Sequence, residues 1–181
     1  MRGVQERGTV PALSGAGEVE EARRRVGWRR ILLGAATLAA VVGADQLTKT
    51  LAQRRLARGP VYLVGSLRLA LTYNSGAAFG LGKGVAPFLV AGGVVVVVFV
   101  VVSVGRSPTT MAIVATSLVA GGAAGNLVDR LIRHNGGAVI DFVDLRVWPV
   151  FNVADACIVC GAALLVIALS RSPREPALSG P

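Results

Sequence analysis

The chain has 181 residues, 53% of them hydrophobic and only 16% charged, with a mean hydropathy of +0.63. That balance excludes an ordinary soluble domain and leaves room for one bundle of a few membrane spans with short pieces outside it. The formal net charge of +9 would suit nucleic acid only on a basic face interleaved with aromatics. Instead Arg23, Arg24, Arg25, Arg29 and Arg30 crowd before the first apolar run, where they match an anionic cytoplasmic leaflet. No nucleic-acid partner is expected.

In chain order, residues 1–22 mix Gly, Glu, Ser and Pro without apolar periodicity, and 1–28 is expected to be a disordered cytoplasmic tail. ILLGAATLAAVVGA (31–44) follows. The VGA before Asp45 resembles a signal-peptide cleavage site, but the sequence continues helically as DQLTKTLA and further apolar segments follow, so a retained first span is expected. LRLALTY (67–73) alternates Leu67, Leu69, Leu71 and Tyr73 with Arg68, Ala70 and Thr72, which predicts a strand ending at the turn-like NSG. GLGKG (80–84) has the spacing of neither a dinucleotide loop nor a Walker loop and reads as a turn. APFLVAGGVVVVVFVVVSV (86–104) and TTMAIVATSLVAGGAAGNLV (109–128) are the second and third spans, and Gly121 and Gly125 form a GxxxG that lets another helix approach closely. HNGG (134–137) signals a tight turn before AVIDFVDL (138–145), a second extended candidate. The fourth span is FNVADACIVCGAALLVIAL (151–169), in which Cys157 and Cys160 read as small buried helix residues and not as a redox or metal pair.

The expected fold is therefore a mainly α membrane protein: four transmembrane helices with a small extracytoplasmic β-sheet resting on the membrane. It forms a single domain over 29–170, with a second tail at 171–181. The arginine density beside the first span puts both termini in the cytoplasm and loops 49–85 and 129–149 outside; total Lys and Arg numbers on the two sides are nearly equal and do not decide it.

That topology gathers all five aspartates, Asp45, Asp129, Asp141, Asp144 and Asp155, toward the outer face. Asn126 with Asp129, and Asn152 with Asp155, are each three apart and share a helix face. Asp144, beside Arg146 and Trp148, reads as an interfacial residue, and Asp129 with Arg130 as a structural ion pair. Asp155 is different, because an isolated carboxylate inside an apolar helix costs about 2.5–3.5 kcal/mol and needs a partner, water or a task. A lone histidine, His134, and the absence of HExxH or GxSxG leave no familiar metal or nucleophile motif. A Ser-Lys peptidase built from Ser66 or Ser75 with Lys49 is one alternative; a small proton-coupled transporter using membrane carboxylates is another, although the spans show no inverted repeat.

Five motifs in order carry a resemblance: DQLTK (45–49), NSGAAFG (74–80), GGAAGNLVDR (121–130), VIDFVDL (139–145) and FNVADA (151–156). From about residue 30 to 170 the chain resembles the lipoprotein signal peptidases, or signal peptidase II. The resemblance implies an intramembrane aspartyl endopeptidase of the bacterial plasma membrane. Such an enzyme cuts the signal peptide from prolipoproteins just before a cysteine carrying diacylglycerol, near the outer face, without metal or cofactor. By motif the catalytic pair is Asp141 and Asp155, with Asp45, Lys49, Asn74, Asn126, Asp129, Arg130 and Asn152 as supporting polar residues. The expected partners are the lipid-modified precursor and membrane lipid, with the enzyme a monomer. Two features depart from the family pattern: the Arg130 to Asp141 segment is longer, and Ala156 stands where a serine is expected. Two close carboxylates in a poorly solvated site tend to share a proton, so one can deprotonate a water while the other polarises the scissile carbonyl.

Overall fold

The structure, a computed structural model, describes residues 14–75, 92, 95 and 109–171, with side chains from Gly27 onward. Helix α1 spans Ser14–Leu56, α2 Thr110–Leu131 and α3 Val153–Ser170; strands β1, β2 and β3 span Val61–Tyr62, Arg68–Asn74 and Val139–Asp144. Among the described residues three helical stretches are long and apolar enough to cross a membrane: Gly27–Leu56, Thr110–Leu131 and Val153–Ser170. They fall on the expected first, third and fourth spans, while the expected second span (86–104) lies outside the described residues. Helix α1 begins at Ser14, so part of the segment expected to be a disordered tail is helical. Its Glu20 and Glu21 stand four residues before Arg24 and Arg25, an order that favours helix in a stretch rich in Glu, Ala and Arg. The helix also runs unbroken through Ala44 and Asp45, so the VGA sequence lies mid-helix.

The bundle is polar inside and apolar outside, as lipid demands. Ile31, Leu32, Leu47, Val159, Val166 and Leu169 point outward, whereas Asp45, Lys49, Asp129 and Asn152 are completely buried. Cys160 is exposed on the outer face of α3 and Cys157 is partly covered, a departure from the buried pair expected. Both are free thiols: a helix that borders lipid buries only one stripe, and Gly161 rather than the cysteines occupies that stripe.

Small residues set the helix spacing. A Cβ on Gly121 would stand 2.8 Å from Val41 Cβ, and one on Gly125 2.6 Å from Asp45 Oδ2, so the GxxxG of α2 receives α1 at two positions one turn apart. The adjacent face meets α3, where a Cβ on Gly122 would run into the Ala154 carbonyl and stand 2.7 Å from Ile158 Cγ1, and one on Gly161 would meet the Ala115 carbonyl. Gly122→Ala should therefore force α2 and α3 apart and destabilise by about 1–3 kcal/mol. Gly43→Ala, which meets nothing within 4 Å, should be neutral or stabilising; thermal melting in detergent compares the two.

The three strands form one antiparallel sheet in the order β1-β2-β3. β2 pairs with β3 from Arg68↔Asp144 and Leu69↔Val143 to Thr72↔Asp141 and Asn74↔Val139, with an extra β2 residue between Leu69 and Thr72. The bulge turns the distal half of β2 so that Thr72 faces Asp141 directly and Asn74 lies diagonal to it. Ala52, Leu56 and Phe142, with Leu69, Leu71, Val143 and Val153, seat the sheet on the C-terminal end of α1. After β3 the chain turns at Arg146, whose backbone N–H donates to Asp144 Oδ1 at 2.7 Å and whose φ is 65°. It returns to pair Phe151 with Val143. That pairing delivers Asn152, the first cap of α3, beside Asp141.

Candidate active site

The site is built in two layers at one end of the bundle, where the C-terminal parts of α1 and α2 meet the N-terminus of α3. In the inner layer Lys49 of α1 donates to Asp45 Oδ2 at 2.7 Å, Asp129 Oδ2 at 2.8 Å and Asn126 Oδ1 at 3.0 Å. These three acceptors use all its N–H groups, so it has no lone pair to offer a serine. The carboxylates have further donors: Asp45 Oδ1 accepts the Ala154 backbone N–H, and Asp129 Oδ2, besides Lys49, accepts that of Ile140. Gln46 donates to both carboxylates and to the Gly125 carbonyl. Arg133 lies 3.3 Å from Asp129 Oδ1 and donates to Gln46, Thr50 and Gln53. Two carboxylates thus face two cations, which is what buried charge requires.

The outer layer joins Asp141 of β3 to Asp155 of α3 through two amides. Asn152 Nδ2 donates to Asp141 Oδ1 at 2.7 Å and to Asn126 Oδ1 at 3.1 Å, and Asn126 Nδ2 donates to Asp155 Oδ1 at 2.9 Å. Asn152 and Asp155 also form a reciprocal capping box: the Asn152 side chain accepts from the Asp155 N–H, and Asp155 Oδ2 accepts from the Asn152 N–H. Asn74 Nδ2 completes Asp141 from β2 at 3.1 Å. Each carboxylate therefore receives donors on both oxygens.

Burial pushes the Asp141 carboxyl up to about 6, reinforced by the neighbouring Asp155 charge and opposed by the Asn74 and Asn152 hydrogen bonds and by Lys49. Because this acid holds its proton more tightly folded than unfolded, its contribution to stability is present at low pH and lost as pH rises from about 4 to about 6. Asp141→Asn should accordingly gain stability over wild type at pH 7. That difference should shrink toward pH 4, as read by denaturation across that range. A cavity of about 330 Å³ opens beside Asp141, between Thr72–Ser75 at the end of β2 and Pro149–Val150, a volume within the range of ligand pockets.

The structure brings eight of the nine predicted site residues into this one network: Asp45, Lys49, Asn74, Asn126, Asp129, Asp141, Asn152 and Asp155. Arg130 stands apart. The expected Asp129–Arg130 ion pair is corrected to Asp129 with Lys49 and Arg133, because adjacent residues on a helix point about 100° apart, whereas Arg133, four residues on, shares the face. Arg130 is half-buried with its Nε unpartnered, near enough to Asp155, Asp129 and Asp141 to feel their charge. Asp144 pairs across the sheet with Arg68 at 2.6 Å, not with the Arg146 side chain, and that partner holds its carboxyl below the usual range. Sequence reasoning missed Gln46 and Arg133. The i,i+4 spacing of Asp129 and Arg133 was the available signal for the latter.

Carboxylates and amides buried at the end of an apolar helix bundle define a membrane-embedded site suited to acid–base chemistry. The profile of the family described as Signal peptidase (SPase) II matches residues 37–171. The chain is 48% identical over 134 residues to a lipoprotein signal peptidase of Rhodococcus jostii (strain RHA1), covering 70% of this chain and 67% of that protein. It is 43% identical over 149 residues to one of Mycobacterium avium (strain 104), covering 77% and 79%. Two solved structures described as a bacterial membrane enzyme superpose with TM-scores of 0.69 and 0.67, each at 27% identity; they cover 77% and 81% of this chain and 94% of theirs. The chain belongs to the signal peptidase II family and is an aspartic peptidase.

Proposed function

We propose that the protein removes the signal peptide from diacylglyceryl-modified prolipoproteins, cutting before the lipidated cysteine, with Asp141 and Asp155 as the catalytic pair. The observation that carries this reading is Asn152, which donates to Asp141 and caps the helix whose first turn carries Asp155, so that one residue ties both carboxylates to one place. A water held between them loses its proton to one carboxylate while the other, protonated, polarises the scissile carbonyl. Collapse of the tetrahedral intermediate then expels the amine, which takes a proton from the dyad, and no covalent intermediate forms. The cavity beside Asp141 receives the extended peptide, and the apolar helix faces hold the acyl chains and the signal helix.

The family membership supports the substrate class, and the apolar bundle supports the membrane setting. The finer topology belongs to the same proposal: a single four-span domain over 29–170, both termini cytoplasmic, the sheet and site at the outer face of the plasma membrane, the enzyme a monomer. Occupation of Lys49 by three acceptors argues against the Ser-Lys reading, and clustering of the carboxylates at one end of the helices argues against a carrier, which needs a path from both sides. Purified protein in detergent should cleave a synthetic precursor peptide bearing diacylglyceryl cysteine, and cleave the unmodified peptide at least about tenfold less efficiently, in proportion to the apolar area lost. Equal cleavage of both would remove the lipid from the account.

A further inference from the structure

Two donors that cannot themselves accept a hydrogen bond, Lys49 Nζ and the Asp155 backbone N–H, each hold one amide oxygen of the site: Asn126 Oδ1 at 3.0 Å and Asn152 Oδ1 at 2.9 Å. Asparagine presents an acceptor on one side and donors on the other, so fixing the oxygen fixes where the NH2 points. We infer that Lys49 is a positioning residue for Asp155, acting through Asn126: its ammonium holds this amide in the one orientation that gives Asp155 a donor and Asn152 an acceptor. The inference rests on the proposed catalytic role of Asp155.

Turning the Asn126 amide would set its NH2 against Lys49 Nζ and Asn152 Nδ2, and its oxygen against Asp155 Oδ1, so three hydrogen bonds would become three repulsive contacts. With the amide held, Asp155 accepts on both oxygens and keeps one rotamer, and Asn152 keeps its NH2 on Asp141. Asp45 and Asp129 take the other two ammonium protons, so the third is directed at Asn126 and nowhere else. Lys49 thereby reaches both carboxylates of the pair without touching either.

Removing the ammonium alone would strand the Asp45 carboxylate, whereas Asp129 keeps Arg133. The test therefore compares Asp45→Asn, which keeps it, with Asp45→Asn/Lys49→Met, which loses one charge of each sign and leaves Asp129 facing Arg133. Both proteins are purified full length and checked for a cooperative melt. On diacylglyceryl-modified precursor, the double variant should show kcat lower than Asp45→Asn by about tenfold or more, with KM within about twofold, since alignment matters in the transition state and not for lipid binding. Equal kcat in the two, or a loss confined to KM, overturns the inference. If the double variant does not fold, Asn126→Asp decides. It keeps an acceptor for Lys49 and Asn152 but turns an oxygen toward Asp155, so the same kcat loss is expected and wild-type kcat overturns the inference. A failure of the dyad itself is distinguishable, because it shows as an active Asp155→Asn enzyme whatever the Lys49 variants do.

Discussion

Asp141→Asn and Asp155→Asn should each lower kcat by about 10²–10⁴, the range lost when a positioned acid or base is removed. An amide can neither take the proton of the attacking water nor return one to the leaving amine. Precursor binding should survive, since in the proposed function the lipid and the signal helix are held by the apolar helices rather than by the carboxylates. The two variants should nevertheless differ in stability. Asp141→Asn relieves a buried acid whose charged form is penalised, whereas Asp155 accepts on both oxygens within a helix cap, and an asparagine there must turn its NH2 toward a donor. A loss of about 1 kcal/mol, typical of a damaged cap, is expected for Asp155→Asn. Asp144→Asn, which only unpairs Arg68 across the sheet, should keep substantial activity.

Asp155 illustrates what was legible in the sequence and what was not. Its position in an apolar run marked it as a residue in need of a partner, and its spacing from Asn152 put the two on one face. The same Asn-x-x-Asp spacing ahead of an apolar helix is also a capping-box signature, so this carboxylate is structural as well as a candidate for chemistry. Apolar runs of membrane-crossing length and the alternation in LRLALTY located α1, α2, α3 and β2 because each depends on local pattern. The partner of Asp129 was not legible in the same way. Adjacency suggested Arg130, but the helix turn and a residue 80 positions away, Lys49, decide it. The bulge of β2 was likewise set by pairing with a distant segment, β3, which no single stretch encodes, and β1, two residues long and paired with nearby β2, is too short to show an alternation.

Lys49→Met is expected to have the largest effect on stability. It removes the cation from between Asp45 and Asp129, both completely inaccessible, and breaking a buried pair in this way costs about 3–5 kcal/mol. Arg133 and Gln46 still meet Asp129, so Asp45 is the stranded charge. Adding Asp45→Asn should recover a large part of the loss, as removing both members of a buried pair is far milder than removing one. Melting temperatures of the two proteins in the same detergent measure this directly. If the single variant melts with wild type, the ion cluster is not what joins α1 to α2.

That Asp141 and Asp155 act as one unit is tested most directly by single-turnover cleavage with enzyme in excess over diacylglyceryl-modified precursor, comparing wild type, the two Asn variants and the double Asp141→Asn/Asp155→Asn variant. Groups that share one proton-transfer task are strongly non-additive, so each single variant should be about as slow as the double, with precursor still bound. Near wild-type cleavage by either single variant, or losses that multiply in the double, would contradict a shared dyad.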